Sequence, residues 1–180
     1  MTRLAARKTG DHSHYERAFE RWVRDRRTPC LPVRQVRRAS DSDGPIKSFD
    51  FLVHAGDNHY IVDVKGRRFP QVSKGRETWW ENWVHLADVE GLLAWETHFG
   101  DGYTSLLVYC YWLQVPPSGE TVRKTITIDG RDYLLVGVPV RTFAENCRRR
   151  SARWKALSIP SRKFTSLIRP IEYFIPDAAG

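Results

Sequence analysis

The chain has 180 residues, 41% of them hydrophobic, with seven tryptophans. That is long enough and apolar enough for one folded domain with a real core, and it excludes a disordered or fibrous chain. A formal charge of +8 and a pI near 9.7 point to an anionic partner. Cys30, Cys110 and Cys147 are odd in number and lack CxxC spacing, which argues against a disulfide framework or zinc ribbon and for a reducing compartment. The N-terminus shows no apolar signal region. The longest apolar run, Leu106 to Leu113, is short of the ~20 residues a bilayer span needs, so a cytoplasmic protein with no membrane partner is expected.

The charge is unevenly placed. Residues 1–38 carry a net +7 and residues 141–169 a net +8, around a centre at 39–140 of net −5. Basic flanks suit a polyanion gripped at the periphery while central acids bind a cation; ordinary solvated arginine is the alternative.

From Ser13, residues Tyr15, Ala18, Phe19, Trp22 and Val23 fall at helical spacing, and Thr28-Pro29 ends the helix. Val33 to Arg38 alternates as a first, edge strand, followed by turn formers from Ser40 to Pro45. Phe49–Val53 and Tyr60–Val64 read as an antiparallel hairpin across Ala55-Gly56-Asp57-Asn58. Arg67 to Thr78 reads as a basic loop and Glu81 to Phe99 as a helix stopped by Gly100-Asp101-Gly102. Tyr103–Val115, nearly all apolar, suits a strand covered on both faces. Asp129-Gly130 predicts a second hairpin between Thr125–Ile128 and Tyr133–Val138. Residues 141–150 predict a short basic helix before a proline-broken tail. The order predicts an α/β (α+β) fold, a mixed central sheet flanked by helices, in one domain with a core at about 13–140 and a basic C-terminal extension at 141–180.

Asp63-Val64-Lys65 closes an apolar strand. Side chains alternate along a strand, so Asp63 and Lys65 share one face, where two buried charges are costly unless used. Asp50 lies on the partner strand. Two acids and a lysine on neighbouring strands suit a divalent metal working on a phosphodiester. Mg²⁺ takes hard oxygens and few carboxylates, so Asp50, Asp63 and the Val64 carbonyl are candidate ligands, with Lys65 orienting or deprotonating the water or stabilising developing charge. Glu16 and Glu20 on the first helix are candidates for a third carboxylate. Glu16 also fits a capping box with Ser13, and Glu20 a surface pair with Arg17 or Arg24.

Ser13-His14-Tyr15-Glu16-Arg17, then Asp50-Phe51-Leu52-Val53, then Asp63-Val64-Lys65 resemble the PD-(D/E)XK nuclease superfamily, in its archaeal Holliday-junction-resolvase branch. His14-Tyr15-Glu16-Arg17-Ala18-Phe19-Glu20 also resembles the signature of the bacterial HYExAFE family. The nuclease resemblance spans about residues 13–112. It implies a restriction-endonuclease-like αβββαβ core, to which the chain adds the C-terminal hairpin and basic tail read above. It also implies Glu16, Asp50, Asp63 and Lys65 as the catalytic and metal set, and Mg²⁺ or Mn²⁺ as cofactor. The chain departs from the pattern in lacking a proline before Asp50 and in carrying Asp63 where Glu is commoner, one methylene shorter.

The expected function is a Mg²⁺-dependent endodeoxyribonuclease-like hydrolase, cutting branched or distorted DNA by a metal-activated water; a C2 homodimer would give two cuts, and RNA is a further substrate class. The alternative is a non-catalytic nucleic-acid-binding or assembly module that retains the fold. Arg67, Arg68, Lys74, Arg76, Arg148, Arg149 and Arg150 are candidate phosphate contacts, with solvated charge as the alternative, and Arg153 and Lys155 extend the last run. Trp79, Trp80 and Trp83 read as core, with base stacking as the alternative. His12 and His14 lack zinc spacing and read as cap-region residues.

Overall fold

The computed structural model describes residues 13–33, 40–41, 44–73, 75–115, 125–151, 153 and 155–177. Helix α1 (His14–Asp25) is capped by the Ser13 hydroxyl, which accepts from the Glu16 N–H, and it buries Ala18, Phe19, Trp22 and Val23 along one stripe. Strand β1 (Cys30–Pro32) follows; most of the strand expected at 33–38 lies outside the described residues. A small ladder joins β2 (Ser40–Asp41) to β3 (Gly44–Pro45). Strands β4 (Phe51–Ala55) and β5 (Asn58–Phe69) form the expected antiparallel hairpin, Phe51 opposite Val62. Its turn has φ +63° at Gly56, the first loop position, where a side chain would be strained.

The basic stretch expected as a loop from Arg67 is ordered otherwise. Strand β5 runs on to Phe69, and a hairpin of β6 (Gln71–Ser73) and β7 (Arg76–Thr78) follows. Strand β8 (Val84–His85) then precedes α2 (Leu86–Phe99), so this helix starts five residues later than the periodicity suggests. Pairing of β8 with the C-terminal segment fixes residues 84–85 as extended, an override that apolar spacing cannot show.

Strand β9 (Tyr103–Leu113) pairs in parallel with β5 over its whole length, Asp63 opposite Leu107 and Lys65 opposite Tyr109. Strands β10 (Ile126–Ile128) and β11 (Arg131–Pro139) form the second expected hairpin, with φ of +50° at Asp129 and +71° at Gly130, as a type I′ turn needs. Helix α3 (Val140–Asn146) covers only the first part of the expected 141–150 helix. Arg148, Arg149 and Arg150 instead lie on strand β12 (Arg148–Ser151), which pairs with β13 (Ala156–Ser158). Helix α4 (Ser161–Leu167), β14 (Arg169–Pro170) and a 3₁₀ turn (Ile171–Tyr173) complete the chain.

The main sheet has the order β1-β4-β5-β9-β11-β10, with β14 also paired to β11. Its two faces are both covered. One face holds Phe51, Val62, Val64, Leu106, Val108 and Cys110 under α1 and the C-terminal Phe174 and Ile175. The other holds Ile61, Leu107, Tyr109 and Tyr111 with Val89 and Leu92 of α2, Phe143 of α3 and Phe164 of α4. Double coverage explains why β9 reads as continuously apolar. No described helix is long and apolar enough to cross a membrane.

Candidate active site

The site forms where β5 outruns its partner. Strand β4 begins at Phe51, one residue after Asp50, so beyond Val62 the edge of β5 meets the Asp50 side chain instead of a strand. The Asp50 amide donates to the Val62 carbonyl at 2.9 Å, and Asp50 Oδ2 accepts the Val64 amide at 2.7 Å. A strand residue's N–H and C=O project to the same edge, so the Val64 carbonyl also faces this vacated edge.

Asp63 and Lys65 point to the α2 face, as alternation from Ile61 requires. Asp63 is 6% exposed, and its Oδ2 lies 2.5 Å from the Lys65 Nζ. Lys65 Nζ also donates to Asp88 Oδ2 at 2.8 Å, and Lys47 Nζ contacts the other oxygen of Asp88. Two carboxylates, Asp63 and Asp88, are thus held by two ammoniums.

Lys47 and Asp88 are the residues that sequence reasoning missed. Asp88 sits in the first turn of α2, where its carboxylate also accepts the His85 amide at 3.2 Å. Lys47 arrives on the segment before β4, which lies against α2: the Trp95 indole donates to the Lys47 carbonyl at 2.8 Å. Gly91 permits this approach, since a Cβ there would stand 3.1 Å from both the Lys47 Cβ and carbonyl. A glycine inside an otherwise helical pattern was the one signal of a close crossing.

The electrostatics bind these groups together. Burial pushes the Asp50 carboxyl up to about 7, Asp63 and Glu16 repel its ionised form, and the Val64 amide and Lys65 partly offset them. Burial lowers the Lys47 ammonium's pKa and Lys65 adds to that, against the attraction of Asp63 and Asp50. Glu16 therefore lies within electrostatic range of Asp50, but it comes from the opposite side of the sheet, and its Oε1 accepts from the Ser13 hydroxyl at 3.1 Å. Glu20 pairs with Arg24 at 2.7 Å.

Among the described residues, no three His, Cys, Asp or Glu side chains are grouped to hold a metal. The donor chemistry still fits a hard divalent ion, which takes few protein ligands and keeps its waters. Asp50 and Asp63 would supply carboxylate oxygens, with the Val64 carbonyl on the strand edge that Asp50 meets.

The candidate phosphate contacts divide. Arg67 is turned inward: it stacks 4.6 Å from the Trp83 ring and donates to the carbonyls of Gly66 at 2.7 Å and Trp83 at 2.5 Å. Arg68 is exposed. Lys74 lies outside the described residues, and Arg76 falls on β7. Arg148 and Arg149 are exposed on β12, whereas Arg150 is 3.5 Å from Glu81. Trp80 packs on Phe69 and Tyr111 as core, while Trp79 is 44% exposed.

A central mixed sheet flanked by helices on both faces is the architecture of the restriction-endonuclease-like fold. The chain is similar in structure to Hjc, a Holliday junction resolvase of the hyperthermophilic archaeon Archaeoglobus fulgidus, with a TM-score of 0.52 and 12% identity, covering 93% of this chain and 97% of that one. No family model matches the sequence, and no curated protein matches it.

Proposed function

We propose that the chain is a divalent-metal-dependent endonuclease of the PD-(D/E)XK type, close to the HYExAFE signature group, that hydrolyses phosphodiesters in branched or distorted DNA. The observation that carries this reading is the convergence of Asp50 and Asp63 beside Lys65 where β5 outruns β4. The likeness to a junction resolvase supports the substrate class.

Asp50, Asp63 and the Val64 carbonyl would hold Mg²⁺ or Mn²⁺, with Glu16 completing the set from α1. When bound, the ion would polarise the scissile phosphate and lower the pKa of water. Lys65, already fixed by two carboxylates, would orient the attacking water or stabilise charge on the phosphoryl oxygens. Lys47 would meet the phosphate from the half-exposed rim. A C2 homodimer would place two such sites for paired cuts.

A second reading, a DNA-binding module that keeps the fold without turnover, is favoured by the ion pairing of Lys65 to Asp63 and Asp88. Asp63→Ala and Lys65→Ala separate the two. On the nuclease reading each lowers Mn²⁺-dependent cleavage by at least ~100-fold, and Asp63→Ala also weakens Mn²⁺ binding measured by electron paramagnetic resonance. Wild-type DNA binding with no cleavage in either metal would select the module.

A further inference from the structure

Beyond the first turn of α1, the sheet presents one more rung on its α1 face. Arg68 of β5 pairs in register with Trp112 of β9, which pairs with Tyr133 of β11. The Arg68 guanidinium lies 5.5 Å and that of Arg131 5.1 Å from the Trp112 ring centroid. Among the described residues neither arginine has an ion-pair partner; Asp132 of the same hairpin is hydrogen-bonded to the Thr127 hydroxyl at 2.6 Å. An aromatic face holds guanidiniums in place without neutralising them; Arg131 also hydrogen-bonds the Tyr133 hydroxyl, and its other N–H groups and those of exposed Arg68 stay available to an anion.

The edge of this rung is closed by His14, whose ring meets Trp112 edge-on at 5.3 Å and whose Nδ1 lies 2.9 Å from the Tyr133 hydroxyl. The rung also adjoins the proposed catalytic edge. Tyr15 packs directly on Gly66, the residue after Lys65, where a Cβ would stand 2.1 Å from the Tyr15 ring.

We propose that Arg68 and Arg131, splayed on Trp112, are a DNA-backbone clamp that binds phosphates flanking the scissile one. This rests on the nuclease reading for its substrate, but it needs neither metal nor turnover. Charge complementarity selects the occupant: two guanidiniums with no carboxylate partner among the described residues match a polyanion better than a protein surface of mixed charge.

The test is metal-free binding of a four-way DNA junction and of a linear duplex, titrated by fluorescence anisotropy in EDTA over a range of salt. Each phosphate contact contributes about 0.9 to the slope of log K against log salt. R68A/R131A should therefore lower the slope by about 1.8 without changing thermal unfolding; R68Q/R131Q repeats the test if alanine perturbs the fold. R162A/K163A, which removes equal charge from exposed α4 positions on the other face, should leave the slope unchanged. An unaltered slope in the Arg68/Arg131 variants, an equal fall in the α4 control, or no DNA binding by the wild type would overturn the clamp. Binding that loses slope in a protein that never cleaves would retain the clamp and reject only the nuclease reading.

Discussion

Asp63 and Lys65 are a costly pair to leave on one face of a central strand, and the protein stabilises them with charges from outside that strand. Asp88, with its side chain 2% exposed, holds both Lys65 and Lys47. Removing one member of a buried ion-pair set leaves its partners uncompensated, at a cost of roughly 3–5 kcal/mol. Asp88→Asn should thus destabilise the fold by about 3 kcal/mol in urea unfolding; a change near zero would mean the network contributes nothing. Asp50 behaves in the opposite sense. Its carboxyl is raised to about 7 when folded, so between about pH 4 and pH 7 the folded state binds more protons than the unfolded one. Metal-free stability should then fall across that window, by up to about 1.4 kcal/mol per pH unit, and Asp50→Asn should flatten the slope. Asp50, Asp63 and Lys65 were legible in sequence because strand alternation and hairpin register are short-range rules. Lys47 and Asp88 were not, since a loop and a helix start bring them in through a crossing that depends on Gly91.

At the scale of elements, β5 against α1 positions the site. Gly66 is required by a close approach, not by a turn: the Tyr15 ring occupies the space a Cβ would need. Gly66→Ala should push back the first turn of α1, which carries Glu16, and cost about 1–3 kcal/mol as overpacking. Adding Tyr15→Ala should recover much of that cost in a double-mutant cycle of denaturation midpoints; independent, additive losses would contradict the packing account. The two hairpins were legible from Gly56-Asp57 and Asp129-Gly130, because turn chemistry is local. The ends of β5, α2 and α3 were not. Arg67 and Arg68 are strand because β9 pairs alongside them, and Arg148–Arg150 are strand because β13 does.

At the scale of the whole molecule, the segment after residue 140 is part of the packing on both faces of the sheet. Phe164 covers one face and Phe174 and Ile175 the other, and β14 pairs with β11. Buried Asn82 bonds this segment to the loop before α2, donating to the Ile159 carbonyl at 2.9 Å and accepting the Ile159 amide at 2.9 Å. Asn82→Ala should cost about 3 kcal/mol, since both backbone groups would be left buried without partners; calorimetric unfolding checks this. The tail's role was illegible in sequence because its contacts are distant and its prolines break any periodic signal. The central claim, that Asp50, Asp63 and Lys65 form a phosphodiester-cleaving site, is tested most directly by single-turnover cleavage of four-way-junction, flapped, linear and single-stranded DNA with Mg²⁺ and with Mn²⁺, wild type beside Lys65→Ala. The account predicts metal-dependent cutting by the wild type, strongest on branched DNA and lost in the variant. Equal cutting by Lys65→Ala, or none by the wild type on any substrate, would contradict it.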